Sequence, residues 1–388
     1  MASSRLRVVQ VLEATVGGTR KHVLDLCRGL DRKCFELHAI LSAERDPAPE
    51  ETRQTLEDAG VAVTLLPMVR GLSPGRDLAC LRALERELGR LQPDIVHTHS
   101  AKAGVLGRIA AHRARVPAVL YTPHGFPFLM HVPGPLRLAY LLTERRLARI
   151  TTRLIAVCDS EREVALTAGV GRPEQVVVIE NGVAFGPTAQ VDREAKRRQL
   201  GLPEEALVIL CAGDVRKQKG HAYAVAALET VRRQMPQARL LVAGDVGAAS
   251  GGLRRPADGS VQFLGPRDDV AELMACTDVF CQPSLWEGCP YAVIEAAGAG
   301  CAVVGSDIPG IRDIVHEGQT GWLARPGDSA DLARALLAAL ADPQEGRRRG
   351  EAASALVRER YTLERMVAGT AQLYETVASE TQGRTSGG

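Results

Sequence analysis

Short runs rich in Val, Ile and Leu alternate with helical patterns along this chain, and that alternation narrows the fold more than any other feature. In the first half, strands are expected at Arg7–Leu12, Glu36–Leu41, Ala62–Leu66, Ile95–His97, Ala118–Thr122, Leu154–Cys158 and Val176–Ile179. Helical patterns separate them, around Gly18–Leu30, Asp77–Arg90, Lys102–Val116 and Ser160–Ala168. The second half repeats the scheme, with strands at Leu207–Ala212, Arg239–Ala243, Val261–Leu264, Val279–Gln282, Ala302–Gly305 and Gly321–Leu323. Strands separated by helices make parallel sheets covered on both faces. The expected class is therefore α/β, with two facing doubly wound, Rossmann-like domains and a cleft between them.

With 388 residues the chain exceeds what one core usually supports, in agreement with two domains. The expected division is 1–182, a linker over 183–202, a second domain over 203–360, and a C-terminal helix with a polar tail over 361–388. Gly186, Pro187, Gly201 and the charged run Asp192–Arg198 mark the linker. The tail reads as one amphipathic helix, Leu363–Ala378, followed by disordered polar residues. The 48 basic residues against 46 acidic ones leave a net charge of +2, which gives no reason to expect a nucleic-acid partner. Nine cysteines without a CxxC spacing fit buried thiols in a reducing compartment. The start is short and polar, and no apolar run approaches the ~18 residues of a membrane span. A cytoplasmic protein is expected.

Doubly wound sheets bind ligands beyond the carboxyl ends of their strands, so the loops there should hold the chemistry. The segment Glu287-Gly-Cys-Pro-Tyr-Ala-Val-Ile-Glu295 follows one such strand. Pro290 suits the first turn of a helix, placing Gly288 before it and the amides of Tyr291, Ala292 and Val293 at a positive helix end. Eight helical residues span ~12 Å. Glycosidase carboxylate pairs are only roughly 5–9.5 Å apart, so Glu287 and Glu295 suit the two ends of an extended ligand better than one bond. A helix acid plus a solvated glutamate is the plainer alternative. Ala212-Gly-Asp-Val-Arg-Lys-Gln-Lys-Gly220 gathers Arg216, Lys217 and Lys219 between a strand and a helix, as a diphosphate clamp would, or as a solvated basic turn.

In the first half, Gly17 and Gly18 permit close backbone approach to a ligand, or simply a tight turn. His97, His99 and His124 lie just beyond strands; with no cysteine or carboxylate at ligand spacing, a metal is not expected and His124 directed at a sugar is. No Asp-x-Asp occurs, so a nucleotide diphosphate would be balanced by cations and helix amides, with no cofactor.

Together these residues resemble the family-4 retaining glycosyltransferases of the GT-B fold, in the group 1 set, from Val8 to about Tyr374. Glu287 and Glu295 match the family's E-x7-E positions, Lys219-Gly220 its lysine turn, Asn181-Gly-Val183 its hinge, and Gly17-Gly18 its first glycine loop. The resemblance implies a nucleotide-sugar donor, UDP- or GDP-linked. Lys219 would then hold the diphosphate, Glu295 the ribose, Glu287 the donor sugar, and His124 would lie beside that sugar. Two departures stand out: Asp214 where the family usually has Arg, leaving Arg216 or Lys217 to substitute, and Asp313 where Glu is more usual. The first half is also similar to members acting on lipid-linked acceptors in bacterial surface-polysaccharide assembly, which implies a polyprenyl-diphosphate-linked acceptor. The stretch 126–153, with five arginines, one glutamate and a helix from Pro135 to Ile150, reads as a peripheral membrane patch or as a core helix with a basic face. An epimerase or phosphorylase on the same fold, or a two-lobed sugar-binding protein, are the other functional classes.

Overall fold

A computed structural model describes residues 5–44, 49–186, 191–247 and 256–385, with side chains described to 382. Its contacts divide the chain into one unit formed by residues up to Gly182 together with those from Leu363 onward, and another formed by Val183–Thr362.

The first unit holds a seven-stranded sheet, all of whose pairings are parallel. Its strands are β1 (Leu6–Leu12), β2 (Phe35–Ser42), β3 (Ala62–Leu66), β4 (Ile95–His99), β5 (Ala118–Thr122), β6 (Arg153–Ala156) and β7 (Val176–Val178), in spatial order β3-β2-β1-β4-β5-β6-β7. Helices α1 (Gly17–Gly29), α2 (Pro49–Asp58), α3 (Pro74–Leu91), α4 (Ala101–Arg113), α5 (Gly134–Leu147) and α6 (Asp159–Thr167) connect them. β4 is buried at every residue and runs two residues past the expected Ile95–His97, so His99 is a strand residue rather than a loop residue just past it.

The second unit has a six-stranded parallel sheet in the order β10-β9-β8-β11-β12-β13. It comprises α7 (Arg193–Gln199), β8 (Leu207–Ala212), α8 (His221–Gln234), β9 (Ala238–Ala243), β10 (Val261–Gly265), α9 (Val270–Ala275), β11 (Val279–Gln282) and α10 (Tyr291–Gly298). β12 (Ala302–Ser306), β13 (Trp322–Ala324), α11 (Ser329–Ala341) and α12 (Pro343–Arg360) complete it. The final helix, α13 (Leu363–Thr385), belongs to the first unit, where it packs on α1 so closely that a Cβ on Gly29 would lie 2.5 Å from Val367.

Two expectations are corrected. The charged run Asp192–Arg198 is no open linker: Asp192 caps α7 by accepting the Ala195 N–H at 2.9 Å. Arg197 and Lys196 of that helix then pair with Asp278 and with Asp269 and Glu272, so the charges anchor the helix. Pro187, read as part of the same linker, lies outside the described residues. The polar residues after Ala378 continue α13 to Thr385 instead of leaving the helix. The cysteines form no disulfide, and all but Cys34 are buried. No helix among the described residues is long and apolar enough to cross a membrane.

Candidate functional site

In an open parallel sheet, the strand pair where the order reverses leaves a crevice at its carboxyl ends. That pair is β8 and β11 in the second unit, and β1 and β4 in the first. The candidate residues gather at both.

In the second unit, β8 leads through Gly213 into a one-turn 3-10 helix, Lys217–Lys219, and then into α8. The loop after β11 runs from Pro283 to Pro290 before α10 begins. The two loops are stitched together by the Leu285 N–H, which donates to the Gln218 carbonyl at 2.7 Å. Gly220 sits between them at φ +67, and a Cβ there would fall 1.9 Å from the Pro283 carbonyl oxygen. Only glycine satisfies both conditions.

This junction brings Lys219 and Glu287 into contact, Nζ to Oε1 at 2.8 Å, with Glu287 only 8% exposed. The carboxylate is held on all sides. Ser284 Oγ donates to Oε1 at 2.8 Å, Gln218 Nε2 to Oε2 at 3.2 Å, and Gln282 Nε2 to Ser284 Oγ at 2.7 Å. These three supporting residues escaped sequence reading, because none differs from an ordinary polar loop residue until the loops meet. Close behind, the His221 pKa is pushed down to about 4, by burial first and by the Lys219 charge second.

Around that pair the expected ligands sort differently. Arg216 turns to Asp214 at 2.7 Å on the exposed rim, so Asp214 engages the very arginine expected to replace the missing one. Lys217 is exposed, whereas Lys219, with Gln218 beside it, is tied to the loop after β11. Gly288 and Pro290 are buried, and Glu295 is half-buried on α10. The Val293 N–H already donates to the Pro290 carbonyl at 3.0 Å. The Val293 amide is therefore already engaged within the helix start. Asp313 Oδ2 accepts the Gly310 N–H at 3.0 Å, and Gly310, at φ +82, packs where a Cβ would strike the Gly288 carbonyl oxygen at 1.7 Å. The shorter acid at 313 thus shapes the loop pressed against Gly288.

The first unit presents imidazoles. Gly17, at φ +63, and Gly18 open α1 as exposed backbone. His124 follows β5 in a left-handed conformation, φ +55, which a non-glycine residue adopts only when held there. The holding group is Glu161, 2% exposed, which accepts the N–H of Gly125 at 2.6 Å and of Val157 at 2.8 Å. A buried hydrogen-bonded chain then fixes the rings. His99 Nδ1 lies 3.2 Å from His124 Nε2, and His99 Nε2 lies 2.8 Å from Gln10 Oε1. Gln10 Nε2 donates to Tyr374 Oη at 2.8 Å, Tyr374 Oη lies 2.7 Å from His97 Nδ1, and His97 Nε2 lies 2.7 Å from Thr122 Oγ1.

Because an amide oxygen only accepts, the network assigns the proton of His99 to Nε2 and leaves Nδ1 to accept from His124. Burial lowers the pKa of His97, His99 and His124 well below the usual histidine value, and that of His22 to about 4. All four rings are neutral at pH 7. His97 is accordingly a strut within β4, whereas His22 of α1, absent from the sequence-based set, joins His99 and His124. Its ring centroid is 4.6 Å from that of His124, and its Nδ1 is 3.1 Å from Asn181 Oδ1. Lys102 is structural: it binds Asp77 at 2.7 Å and the Gly71 carbonyl at 2.8 Å.

Comparison with known proteins places the chain in a family. A family model described as glycosyltransferase family 4 matches residues 16–185, and one described as glycosyl transferases group 1 matches 206–342. The chain is 32% identical over 346 residues, 86% of its length and 88% of the relative's, to the Escherichia coli UDP-Gal:alpha-D-GlcNAc-diphosphoundecaprenol alpha-1,3-galactosyltransferase. It is 31% identical to a D-inositol 3-phosphate glycosyltransferase of Jonesia denitrificans, covering 84% of each. Among solved structures, Anabaena HepE in complex with UDP and glucose matches with a TM-score of 0.79 at 23% identity, covering 96% of this chain and 100% of HepE. That likeness establishes the fold, two Rossmann-like units of the GT-B type.

Proposed function

Because this chain belongs to the family-4, group 1 glycosyltransferases, we propose that it transfers a hexose with retained configuration from a nucleoside diphosphate sugar to a lipid-linked acceptor. The observation that carries the donor half is the Lys219–Glu287 contact at the β8/β11 reversal, a buried acid and a cation held 2.8 Å apart by converging loops. A diphosphate entering there takes Lys219 by charge-assisted hydrogen bonds, and the start of α10 faces it with the positive end of the helix. Glu287, fixed by Ser284 and Gln218, then faces the donor sugar, and Glu295 faces the ribose. His124 acts as a neutral hydrogen-bonding group beside the sugar.

In the transfer, the bond between the anomeric carbon and the diphosphate oxygen breaks and a bond to the acceptor hydroxyl oxygen forms on the same face. The departing diphosphate takes the acceptor's proton, and Lys219 stabilises the charge that develops on it. Cations and amides serve where other transferases use a divalent metal, so chelator is expected to leave donor cleavage intact. The acceptor assignment draws on the E. coli relative, whose name specifies a diphosphoundecaprenol acceptor. A surface suited to it lies on the first unit, where Leu138 and Leu142 are 53% and 38% exposed on α5 among the exposed Arg137, Arg146 and Arg149. Such a surface would sit peripherally on an anionic membrane.

The test is incubation of purified protein with UDP- and GDP-sugars in EDTA, with and without a polyprenyl-diphosphate saccharide. Slow hydrolysis of one donor alone and α-configured product with acceptor are expected. A protein that binds a nucleotide sugar but never cleaves it would contradict the reading, as would a β-configured product.

A further inference from the structure

We propose that His22, His99 and His124 form a binding site for an imidazole-preferring divalent transition metal such as Zn²⁺. One ring nitrogen from each residue lies within 4.8 Å of the others. The ligands come from three different elements at the β1/β4 reversal: α1, the last residue of β4, and the strained turn after β5. Four-coordinate zinc with Zn–N bonds of ~2.0–2.1 Å sets its nitrogens roughly 3.3 Å apart. The edge between His99 Nδ1 and His124 Nε2 is 3.2 Å already. The His22 nitrogen, within 4.8 Å of the other two, is the one that must close in.

The surroundings are those of a metal centre. Histidine ligands usually present their second nitrogen to a carbonyl or carboxylate, which fixes the ring and its tautomer. Here His99 Nε2 is held by Gln10 Oε1 at 2.8 Å, leaving Nδ1 to coordinate. His22 Nδ1 is held by Asn181 Oδ1 at 3.1 Å, an amide oxygen in the role of such a partner. The proton that His124 Nε2 shares with His99 moves to its own Nδ1 or to solvent as the ion takes its place. The ligand set contains no carboxylate and no sulfur, so it selects against Mg²⁺ and Ca²⁺, which prefer oxygen, and favours Zn²⁺, Co²⁺, Ni²⁺ or Cu²⁺.

Occupation takes His124 Nε2 and fixes the ring on the ion, so the metal inhibits transfer. This consequence rests on the role proposed for His124, whereas coordination itself does not. A metal-free reaction and an inhibitory metal site are therefore compatible.

The test titrates chelator-stripped full-length protein, with Cys34→Ser to remove the exposed thiol, with Co²⁺. Ligand-field absorption that saturates at one ion per chain and is displaced by Zn²⁺ is expected. Asn181→Ala should weaken binding by about 10- to 100-fold, and His22→Gln by more. X-ray absorption of wild-type protein loaded with Zn²⁺ makes the outcome independent of how the variants fold, and should show imidazole scattering with metal–nitrogen distances of ~2.0–2.1 Å. Absence of saturable binding, a shell of oxygen or sulfur alone, or a folded His22→Gln protein that binds as tightly as wild type would each overturn the site. Coordination without inhibition would instead overturn the role of His124 in transfer.

Discussion

At the reversal of its sheet order the second unit sets a lysine against a carboxylate, Lys219 and Glu287 at 2.8 Å. At the corresponding point the first unit sets neutral rings against amide and hydroxyl groups, running from His124 through His99, Gln10 and Tyr374 to His97 and Thr122. The backbone solution is the same, a crevice beyond parallel strands, yet one crevice pairs a cation with a carboxylate and the other holds side chains that are neutral at pH 7. The difference teaches that topology fixes where a site lies, and residue chemistry fixes what it takes. A diphosphate needs cations, while a sugar needs directed hydrogen bonds that do not compete with it for a proton.

The contrast can be broken first at Glu287. If its carboxylate stabilises the sugar as the glycosidic bond opens, Glu287→Gln should lower kcat by about 100-fold or more, the scale of removing one transition-state contact. Glu295→Gln should chiefly raise KM, since the ribose is remote from bond cleavage. Steady-state kinetics of the two variants read this split; equal effects on KM would place both acids on the nucleotide.

Acid should separate the units next. A buried imidazole with a lowered pKa is protonated in the unfolded chain before it is protonated in the folded one, so stability falls as pH falls. For His22 the window runs from its usual 6.5 down to about 4, a loss of roughly 3 kcal/mol if the whole shift is realised. His97, His99 and His124 add in the same direction, whereas among the described residues of the second unit His221 is the histidine with a comparable shift. Hydrogen exchange followed by mass spectrometry between pH 7 and 4 should show the first unit losing protection before the second. The reverse order would contradict the burial of these rings.

Smaller effects test the supports. Tyr374→Phe removes the hydroxyl linking Gln10 to His97 and leaves buried polar groups unpaired, which costs about 1–3 kcal/mol. Thermal unfolding measures it, and a neutral result would deny the chain its role in fixing the rings. Arg216→Ala should change stability by less than about 1 kcal/mol, because its pair with Asp214 is solvent-exposed. Its effect on donor affinity should likewise be slight; a large one would mean that the arginine leaves Asp214 for the phosphate.

The sequence made the second site far more legible than the first. Glu287 and Glu295 share one contiguous motif and Lys219 lies in another, each at a strand end, and the alternation of apolar runs with helical patterns places the strands that carry them; that the two motifs meet across 68 residues is a feature of the fold. The first site is assembled from distant parts of the chain. His22 occupies an ordinary position in an amphipathic helix and meets Asn181 159 residues later, while Gln10 meets Tyr374 after 364. No local pattern distinguishes such residues from core histidine, glutamine or tyrosine. The same limit explains α7: a run of charge resembles a linker until Asp269, Glu272 and Asp278 arrive from elsewhere to pair with it.

That the charged crevice, and not the neutral one, holds the donor diphosphate is tested most directly by calorimetric titration of UDP and GDP into wild-type, Lys219→Ala and His124→Ala proteins. If Lys219 holds the diphosphate, its loss removes charge-assisted hydrogen bonds of about 1.5–3 kcal/mol and should weaken nucleotide binding by roughly 10- to 100-fold. His124→Ala should leave nucleotide affinity within a few fold of wild type while lowering turnover. Unchanged nucleotide binding in Lys219→Ala, or its loss in His124→Ala, would contradict the division of labour between the two sites.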